Sequence, residues 1–179
     1  MERSRRNGRL FWSVAGGFLV TDFVTKWWAV RELAPAHTRH EVLGEFLTFT
    51  LLYNRGAAFG LHLGDFSRWI FTALTVGAVV ILTRMYMATA RDDYVRLVSL
   101  GAILGGACGN LVDRLRSAQG VVDFIDVGIG ATRWPTFNVA DIGVSCGALL
   151  LAIVLWREDR AAAQAAQSAP DTSDASSAR

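Results

Sequence analysis

GGACGNLVDRLRSAQGVVDFIDVGIGATRWPTFNVAD, residues 105–141, is the stretch of this 179-residue chain that decides its fold. It joins two apolar runs, and its polar residues stand where those runs end and begin. Asn110 and Asp113 close the first run, whereas Asn138 and Asp141 open the second. Ionisable groups at the edge of hydrocarbon are costly and tend to be kept for function. The stretch therefore predicts a functional site at a membrane surface.

The composition favours a membrane protein over a soluble domain. The chain is 52% hydrophobic, its mean hydropathy is +0.31, and its apolar residues are clustered. A helix needs about 20 predominantly apolar residues to cross a hydrocarbon core. Four segments reach or approach that length: residues 10–30, 69–87, 94–112 and 139–156. We predict a membrane all-α fold in which these four segments are transmembrane helices.

The four helices are expected to form one polytopic domain over residues 1–160. The remainder, residues 161–179, is polar and of low complexity, and we expect it to be a disordered cytoplasmic tail.

Arginines indicate which helix ends face the cytoplasm. They cluster at the N-terminus, around the turn between the second and third segments, and after the fourth: Arg3, Arg5, Arg6, Arg9, Arg84, Arg91, Arg96, Arg157 and Arg160. By the positive-inside tendency, both termini are cytoplasmic, and loops 31–68 and 113–138 lie outside. Those outer loops also contain arginines, so the N-terminal cluster carries most of the assignment.

The first outer loop contains a predicted strand. Residues 46–53, FLTFTLLY, are rich in Phe, Thr and Leu in alternation, which is typical of a strand. A strand outside the membrane needs a partner, and Glu41–Leu43 is the only local candidate. We therefore expect a small extracytoplasmic β-sheet lying on the outer surface.

Asp22 and Lys26 are the charged residues of the first apolar segment. They are four positions apart, so on a helix they share one face and can pair. Eight residues separate Asp22 from Val30, which places both side chains within about 12 Å of the outer end. We predict a structural ion pair that faces other helices rather than lipid, in preference to a catalytic pair.

Polar residues from several segments fall at one depth, in the outer half of the bilayer or at its surface. They are Asp22, Lys26, Asn110, Asp113, Arg114, Asp123, Asn138 and Asp141. Two aspartates that share a site cannot both ionise easily, so one holds a proton near neutral pH. The ionised aspartate can take a proton from water while its partner donates one to a carbonyl oxygen. This chemistry hydrolyses a peptide bond without a metal.

Other catalytic patterns do not fit. The sequence has no HExxH motif, its histidines lack metal-ligand spacing, and its two cysteines do not form CxxC. Gly143–Gly147 matches GxSxG but lies mid-helix, where the same residues make a GxxxG packing pattern. We predict helix packing there, and neither a metal nor a cofactor for the chain.

Two non-enzymatic functions compete with hydrolysis. A small proton-linked transporter or channel would use intramembrane Asp and Lys as a relay, with charges at several depths. The inner halves of the predicted segments lack acids, which argues against such a path. A membrane assembly factor would use the aspartates only to hold helices together.

Five short motifs together resemble those of the bacterial lipoprotein signal peptidases, signal peptidase II. The motifs are DxxTK at Asp22–Lys26, NxGAAF at Asn54–Phe59, GNxxDR at Gly109–Arg114, VVDF at Val121–Phe124 and FNxAD at Phe137–Asp141. Each motif is weak alone, but five in the family's order among four apolar segments are specific.

The resemblance implies an inner-membrane aspartic endopeptidase with four helices and a small periplasmic β-cradle. It implies Asp123 and Asp141 as the catalytic pair. Substrate binding and support are implied for Asn54, Gly56, Asn110, Asp113, Arg114, Asn138 and Ala140. Asp113 is the main rival for catalysis, and we rank it below Asp123 because its neighbour Arg114 and its helix-end position suit a structural pair.

The resemblance also implies the partners. The substrates would be diacylglyceryl-modified prolipoproteins, cut just before the lipidated cysteine, and globomycin-type inhibitors would bind. We expect a monomer in contact with membrane lipid and no nucleic acid. The expected location is the bacterial inner membrane, with the active site on the periplasmic side.

Overall fold

The computed structural model describes residues 2–56, 66–90 and 92–168. Three features of the sequence predictions lie outside these residues: positions 57–59 of the NxGAAF motif, Arg91, and positions 169–179 of the expected tail.

Long helices and one small sheet make up the described chain. The helices are α1 (Glu2–Glu32), α2 (Ser67–Ala88), α3 (Tyr94–Arg116) and α4 (Val139–Ser168). The strands are β1 (Arg39–Leu43), β2 (Leu47–Asn54), β3 (Val121–Ile129) and β4 (Thr132–Arg133). Each predicted apolar segment lies inside one helix, and the helices extend beyond the segments at one or both ends.

The extension of α4 corrects the prediction for the C-terminal tail. The helix continues to Ser168, so the expected disorder is wrong for residues 161–168. This stretch reads AAAQAAQS, and alanine and glutamine are strong helix formers. Low complexity therefore did not mean lack of structure here.

Within the described residues, three helices are long and apolar enough to cross a membrane, namely α2, α3 and α4. At 31 residues, α1 is also long. It falls short in hydropathy because Asp22 and Lys26 interrupt its apolar run. The chain is thus a membrane-type helical protein, and the predicted count of four spanning helices is not confirmed.

The predicted antiparallel sheet is present, with strand order β1-β2-β3-β4. The expected pairing of β1 with β2 is confirmed, with Glu41 opposite Thr48. The second partner of β2 is β3, which the sequence analysis did not predict. In that pairing Leu52 lies opposite Asp123, after an irregularity that follows Phe49. The pairing with β2 holds β3 in the middle of the sheet.

Close packing of small residues holds α3 against its neighbours. A Cβ atom on Gly105 would overlap the backbone carbonyl of Ala15 in α1, and one on Gly106 would overlap that of Ala140 in α4. A Cβ atom on Gly147 would come within 2.7 Å of the Ser99 carbonyl oxygen. Helix packing, as predicted for the GxxxG pattern, is therefore observed.

The sheet rests on the end of α1. Ala29 of α1 and Leu33, the residue after its end, form a buried cluster with Leu51 of β2 and with Val122 and Phe124 of β3. This contact fixes the sheet over one end of the helices, and it brings β3 to the start of α4.

We predict that Gly105→Leu destabilises the protein, because the new side chain meets the α1 backbone. Overpacking of this kind costs about 1–3 kcal/mol in the free energy of unfolding. The matched control is Gly77→Leu in α2, where a Cβ atom has nothing within 4 Å. Thermal unfolding in detergent measures both variants. Equal midpoints for the two would show that α1 and α3 do not pack as described.

Candidate active site

Asp123 lies in β3 and is only 3% exposed. Its carboxyl group accepts a hydrogen bond of 2.7 Å from Asn138 Nδ2 and one of 3.1 Å from Asn54 Nδ2. Asn138 immediately precedes α4, and Asn54 ends β2. Three elements therefore hold this one carboxyl group.

Asp141 lies in the first turn of α4 and is partly exposed. Its carboxylate accepts hydrogen bonds from Asn110 Nδ2 at 2.8 Å and from the backbone N–H of Asn138 at 3.2 Å. The Asp141 N–H in turn donates to Asn138 Oδ1 at 3.0 Å. This is the reciprocal arrangement of a capping box, which the i,i+3 spacing of Asn and Asp favours.

Asn138 is the residue that brings the two aspartates together. It is fully buried, its side-chain amide donates to Asp123, and its backbone N–H donates to Asp141. The same amide also donates to Asn110 Oδ1 at 3.1 Å. Because this one buried residue contacts both carboxyl groups, the two aspartates share a site.

Asn54, Gly56 and Arg114 border the site. The Gly56 N–H donates to Asn54 Oδ1 at 2.9 Å, which turns the amide nitrogen of Asn54 toward Asp123. Arg114 makes long hydrogen bonds to the backbone oxygens of Asn110 at 3.4 Å and Gly56 at 3.5 Å. Its Nε is buried without a hydrogen-bond partner among the described residues. Arg114 thus retains donor capacity beside the aspartates.

A buried ionic cluster between α1 and α3 supports the site. Lys26 Nζ contacts Asp22 at 2.7 Å, Asp113 at 2.9 Å and Asn110 Oδ1 at 2.9 Å. Asp22 and Lys26 are 1% and 4% exposed, so the pair faces protein as predicted. The Asp22 carboxylate also accepts the backbone N–H of Ala140 at 2.9 Å. Ala140 is fully buried, and this backbone contact ties α4 to α1.

Asp113 has a different partner from the one suggested by its sequence neighbour. Its carboxylate pairs with Lys26 at 2.9 Å and accepts the backbone N–H of Val122 at 3.2 Å, whereas the guanidinium of Arg114 is directed to backbone oxygens. The expected pairing with Arg114 was wrong because residues next to each other on a helix point in different directions.

The environment of Asp123 favours the protonated carboxyl group. Burial, and then the nearby carboxylate of Asp141, raises the pKa of Asp123 from 3.8 to about 7, against opposing hydrogen bonds from Asn54 and Asn138. Two carboxyl groups in one site, one of them protonated near neutral pH, can act as an acid and a base in hydrolysis.

Asp126, for which the sequence alone predicts no role, is 4% exposed. Its carboxylate accepts hydrogen bonds from Arg133 Nε at 2.9 Å, Thr48 Oγ1 at 3.0 Å and Thr50 Oγ1 at 3.4 Å. Burial opposes ionisation, but these partners and Arg39 hold the pKa of Asp126 below its usual value. The signal in the sequence was an acid inside a strand pattern, followed by an arginine across a tight turn.

No group of three or more His, Cys, Asp or Glu side chains in the described part of the chain is arranged to hold a metal ion. The carboxyl groups of Asp123 and Asp141 accept hydrogen bonds from asparagine side-chain amides and a backbone N–H.

Known proteins share this sequence and architecture. The profile of the family described as signal peptidase (SPase) II matches residues 14–157. The chain is 44% identical over 120 residues to the lipoprotein signal peptidase of Burkholderia mallei, covering 65% of this chain and 70% of that protein. It is 41% identical over 150 residues to that of Rhodococcus jostii, covering 81% and 71%. A solved structure described as a bacterial membrane enzyme superposes with a TM-score of 0.73 at 30% identity, covering 82% of this chain and 87% of that one.

The apolar helices and the small sheet, together with the family match, define a membrane-type hydrolase. The profile match covers most of the chain, and it confirms the predicted resemblance. The chain belongs to the signal peptidase II family and is an aspartic peptidase, a hydrolase acting on peptide bonds.

We predict that Lys26→Met severely destabilises the protein, because Asp22 and Asp113 then lose their shared cation. Removing one partner of a buried ion pair costs about 3–5 kcal/mol. Arg31→Met, on the exposed surface of the same helix, is the control and should retain the wild-type midpoint. Thermal unfolding in detergent measures both. A Lys26→Met midpoint equal to that of the control would contradict a supporting role for the ionic cluster.

Proposed function

We propose that the chain removes the signal peptide from diacylglyceryl-modified prolipoproteins, cutting just before the lipidated cysteine, by water attack assisted by Asp123 and Asp141. The observation that carries this proposal is the joint contact of Asn138 with both carboxyl groups, at 2.7 Å and 3.2 Å. Membership of a peptidase family whose relatives are named lipoprotein signal peptidases supports the substrate class.

The two aspartates have different roles in this mechanism. Asp123 is buried and, with its raised pKa, holds the proton that is donated to the scissile carbonyl oxygen. Asp141 is more exposed, and its carboxyl group accepts hydrogen bonds from Asn110 Nδ2 and from the Asn138 N–H. Asp141 takes a proton from the attacking water and passes it to the leaving amine as the C–N bond of the tetrahedral intermediate breaks, while the former carbonyl oxygen returns its proton to Asp123.

The surrounding polar residues hold the substrate and the aspartates. Asn54, Asn110 and Asn138 orient the carboxyl groups through the hydrogen bonds described above. Gly56 and Arg114 border the site, and the terminal nitrogens of Arg114, held only by hydrogen bonds of 3.4 Å and 3.5 Å, would exchange these for a peptide oxygen of the substrate. We assign Asp113 and Ala140 to support, because their contacts are with Lys26, Val122 and Asp22.

We also propose that all four helices cross the membrane. Gly101, Gly105 and Gly109 of α3 lie against successive turns of α1, so α1 runs beside a helix that is apolar enough to span. The charges that lower the hydropathy of α1, Asp22 and Lys26, are buried away from lipid. Their burial removes the main objection to a fourth span.

We infer the orientation from the distribution of arginines and the partners from the family resemblance. With both termini in the cytoplasm of a bacterial cell, the sheet and the aspartates lie at the periplasmic face of the inner membrane, where the signal peptide of an exported lipoprotein ends. Globomycin-type inhibitors would occupy this site, and the chain would work as a monomer in contact with membrane lipid. A proton-linked transporter is the alternative, and cleavage by the purified protein separates the two functions.

We predict that Asp123→Asn and Asp141→Asn each abolish cleavage, since an amide can neither donate nor accept the transferred proton. Losing a general acid or base lowers a rate about 10²–10⁴-fold. The assay follows signal-peptide release from a diacylglyceryl-modified prolipoprotein by the purified protein in detergent. Asp159→Asn, in the exposed C-terminal part of α4, is the control for loss of one carboxylate. Wild-type rates in both site variants would remove the assignment.

The pH dependence of cleavage should report the proton on Asp123. Its pKa is raised to about 7, so the proton is present below that pH and lost above it. Because the acid form is the active one, kcat/KM should fall above about pH 7, approaching tenfold per pH unit. The measurement is the pH profile of kcat/KM in detergent at constant ionic strength. A rate that still rises between pH 7 and pH 9 would contradict this role.

A further inference from the structure

Asp126 is a buried carboxylate that the proposed chemistry does not use. Its polar partners come from every strand of the sheet: Arg39 of β1 at 3.6 Å, Thr48 of β2 at 3.0 Å and Arg133 of β4 at 2.9 Å, while Asp126 itself lies on β3. Arg39 is 58% exposed at its side chain and lies at the edge of this cluster, whereas Arg133 is 12% exposed. The strong contacts are therefore those of Arg133 and Thr48.

The Arg133 guanidinium forms hydrogen bonds to the sheet at several points. Besides the Asp126 carboxylate, its guanidinium donates to the Asp126 carbonyl oxygen at 3.1 Å, to Thr48 Oγ1 at 3.1 Å and to the Glu45 carbonyl oxygen at 2.6 Å. A planar guanidinium with several fixed donors is suited to such a multiple contact. We call Asp126, Arg133 and Thr48 the clasp.

The clasp holds together the hairpin in the segment that joins the two proposed catalytic aspartates. After Asp123 the chain runs out along β3 and turns. It returns along β4, where Arg133 pairs with Gly128 and the Trp134 N–H donates to the Val127 carbonyl. The returning chain is then bonded back to β3. The Phe137 N–H donates to the Ile125 carbonyl at 3.0 Å, and the Ile125 N–H donates to the Phe137 carbonyl at 2.8 Å.

Phe137 is followed at once by Asn138, which holds both aspartates. The place of Asn138 and Asp141 relative to Asp123 therefore depends on how this hairpin is closed. The clasp also anchors the hairpin to β2, the strand that ends at Asn54, another partner of Asp123. The clasp therefore bonds β2, which carries Asn54, to β3, which carries Asp123. It contacts neither the Asp123 nor the Asp141 side chain.

We propose that the clasp is a positioning device that sets the separation and orientation of the Asp123 and Asp141 carboxyl groups. This inference rests on the proposed function, because it assumes that the two groups act as a pair. A misplacement of about 1 Å in a reacting group can cost about 10²-fold in rate, and supporting residues must hold such groups within about 0.5 Å. Loosening the clasp should therefore lower kcat while leaving substrate binding, and so KM, nearly unchanged.

The test measures kcat and KM for prolipoprotein cleavage by the full chain in detergent. Asp126→Asn and Arg133→Gln should each lower kcat about 10- to 100-fold, with KM within about threefold of wild type. Both remove the same ionic contact, so the double variant should be no more than about threefold worse than the poorer single variant. Arg96→Gln, which breaks the Arg96–Glu158 ion pair elsewhere in the molecule, is the matched control and should retain wild-type kcat.

Thr48 provides a milder pair of variants that decides the matter if the charge variants do not fold. Thr48→Val keeps the shape and removes the hydroxyl that bonds Asp126 and Arg133, and it should lower kcat about three- to tenfold. Thr48→Ser keeps the hydroxyl and should restore kcat. Equal rates for the valine and serine variants would overturn the proposal.

The remaining outcomes are equally decisive. A rise in KM at unchanged kcat would mean that the clasp binds substrate rather than positions the aspartates. Losses that multiply in the double variant would mean that Asp126 and Arg133 act separately. Losses that follow only the folded fraction, measured by thermal unfolding, would leave a purely structural role. Each of these results would overturn positioning while wild-type cleavage upholds the proposed function, whereas an inactive wild-type protein would refute the function itself.

Discussion

The rest of the structure depends on the interactions of the Lys26 ammonium group with its buried partners. This group lies where α1 meets α3, bound to the carboxylates of Asp22 and Asp113 and to the amide oxygen of Asn110. A charge so far from water is tolerated only when it is paired and hydrogen-bonded. The helices must therefore approach until all three partners reach it, and this requirement fixes how they are arranged.

The site is built on partners of that ammonium group. Asp22 receives the backbone N–H of Ala140 and so draws in the start of α4. Asn110 connects Lys26 to the site, because its side-chain oxygen accepts a hydrogen bond from Lys26 and its side-chain nitrogen donates one to Asp141. Asp113 does the same for β3 by accepting the N–H of Val122, one residue before Asp123. One buried cation thus orders, through its partners, the backbone on either side of the proposed reaction.

The sheet supplies what the helices cannot. The carboxyl group of Asp123 on β3 must face that of Asp141 on α4, although the 17 residues between them, 124–140, could separate them by many ångströms. The connection folds into a hairpin that is hydrogen-bonded to β2, and these contacts fix the distance between the two carboxyl groups. Rigid strands hold a side chain more accurately than a free loop would, and this accuracy is what acid–base chemistry between two groups requires.

Local patterns in the sequence determined much of this protein. The apolar runs located the helices, although not all of their ends, and the i,i+4 spacing of Asp22 and Lys26 indicated their pairing. The motifs between Asp22 and Asp141 identified the family. Each of these features is decided by residues close together in the chain or by the order of short motifs, so it can be read without a three-dimensional structure.

Only the tertiary structure decided which of those pieces meet. Lys26 reaches Asn110 across 84 positions, and Asn54 reaches Asp123 across 69. The pairing of β2 with β3, the choice of Lys26 rather than Arg114 as the partner of Asp113, and the clasp around Asp126 all depend on such distant contacts. No local spacing determines them, because each requires residues that are far apart in the sequence to be packed together, and only the folded chain does this.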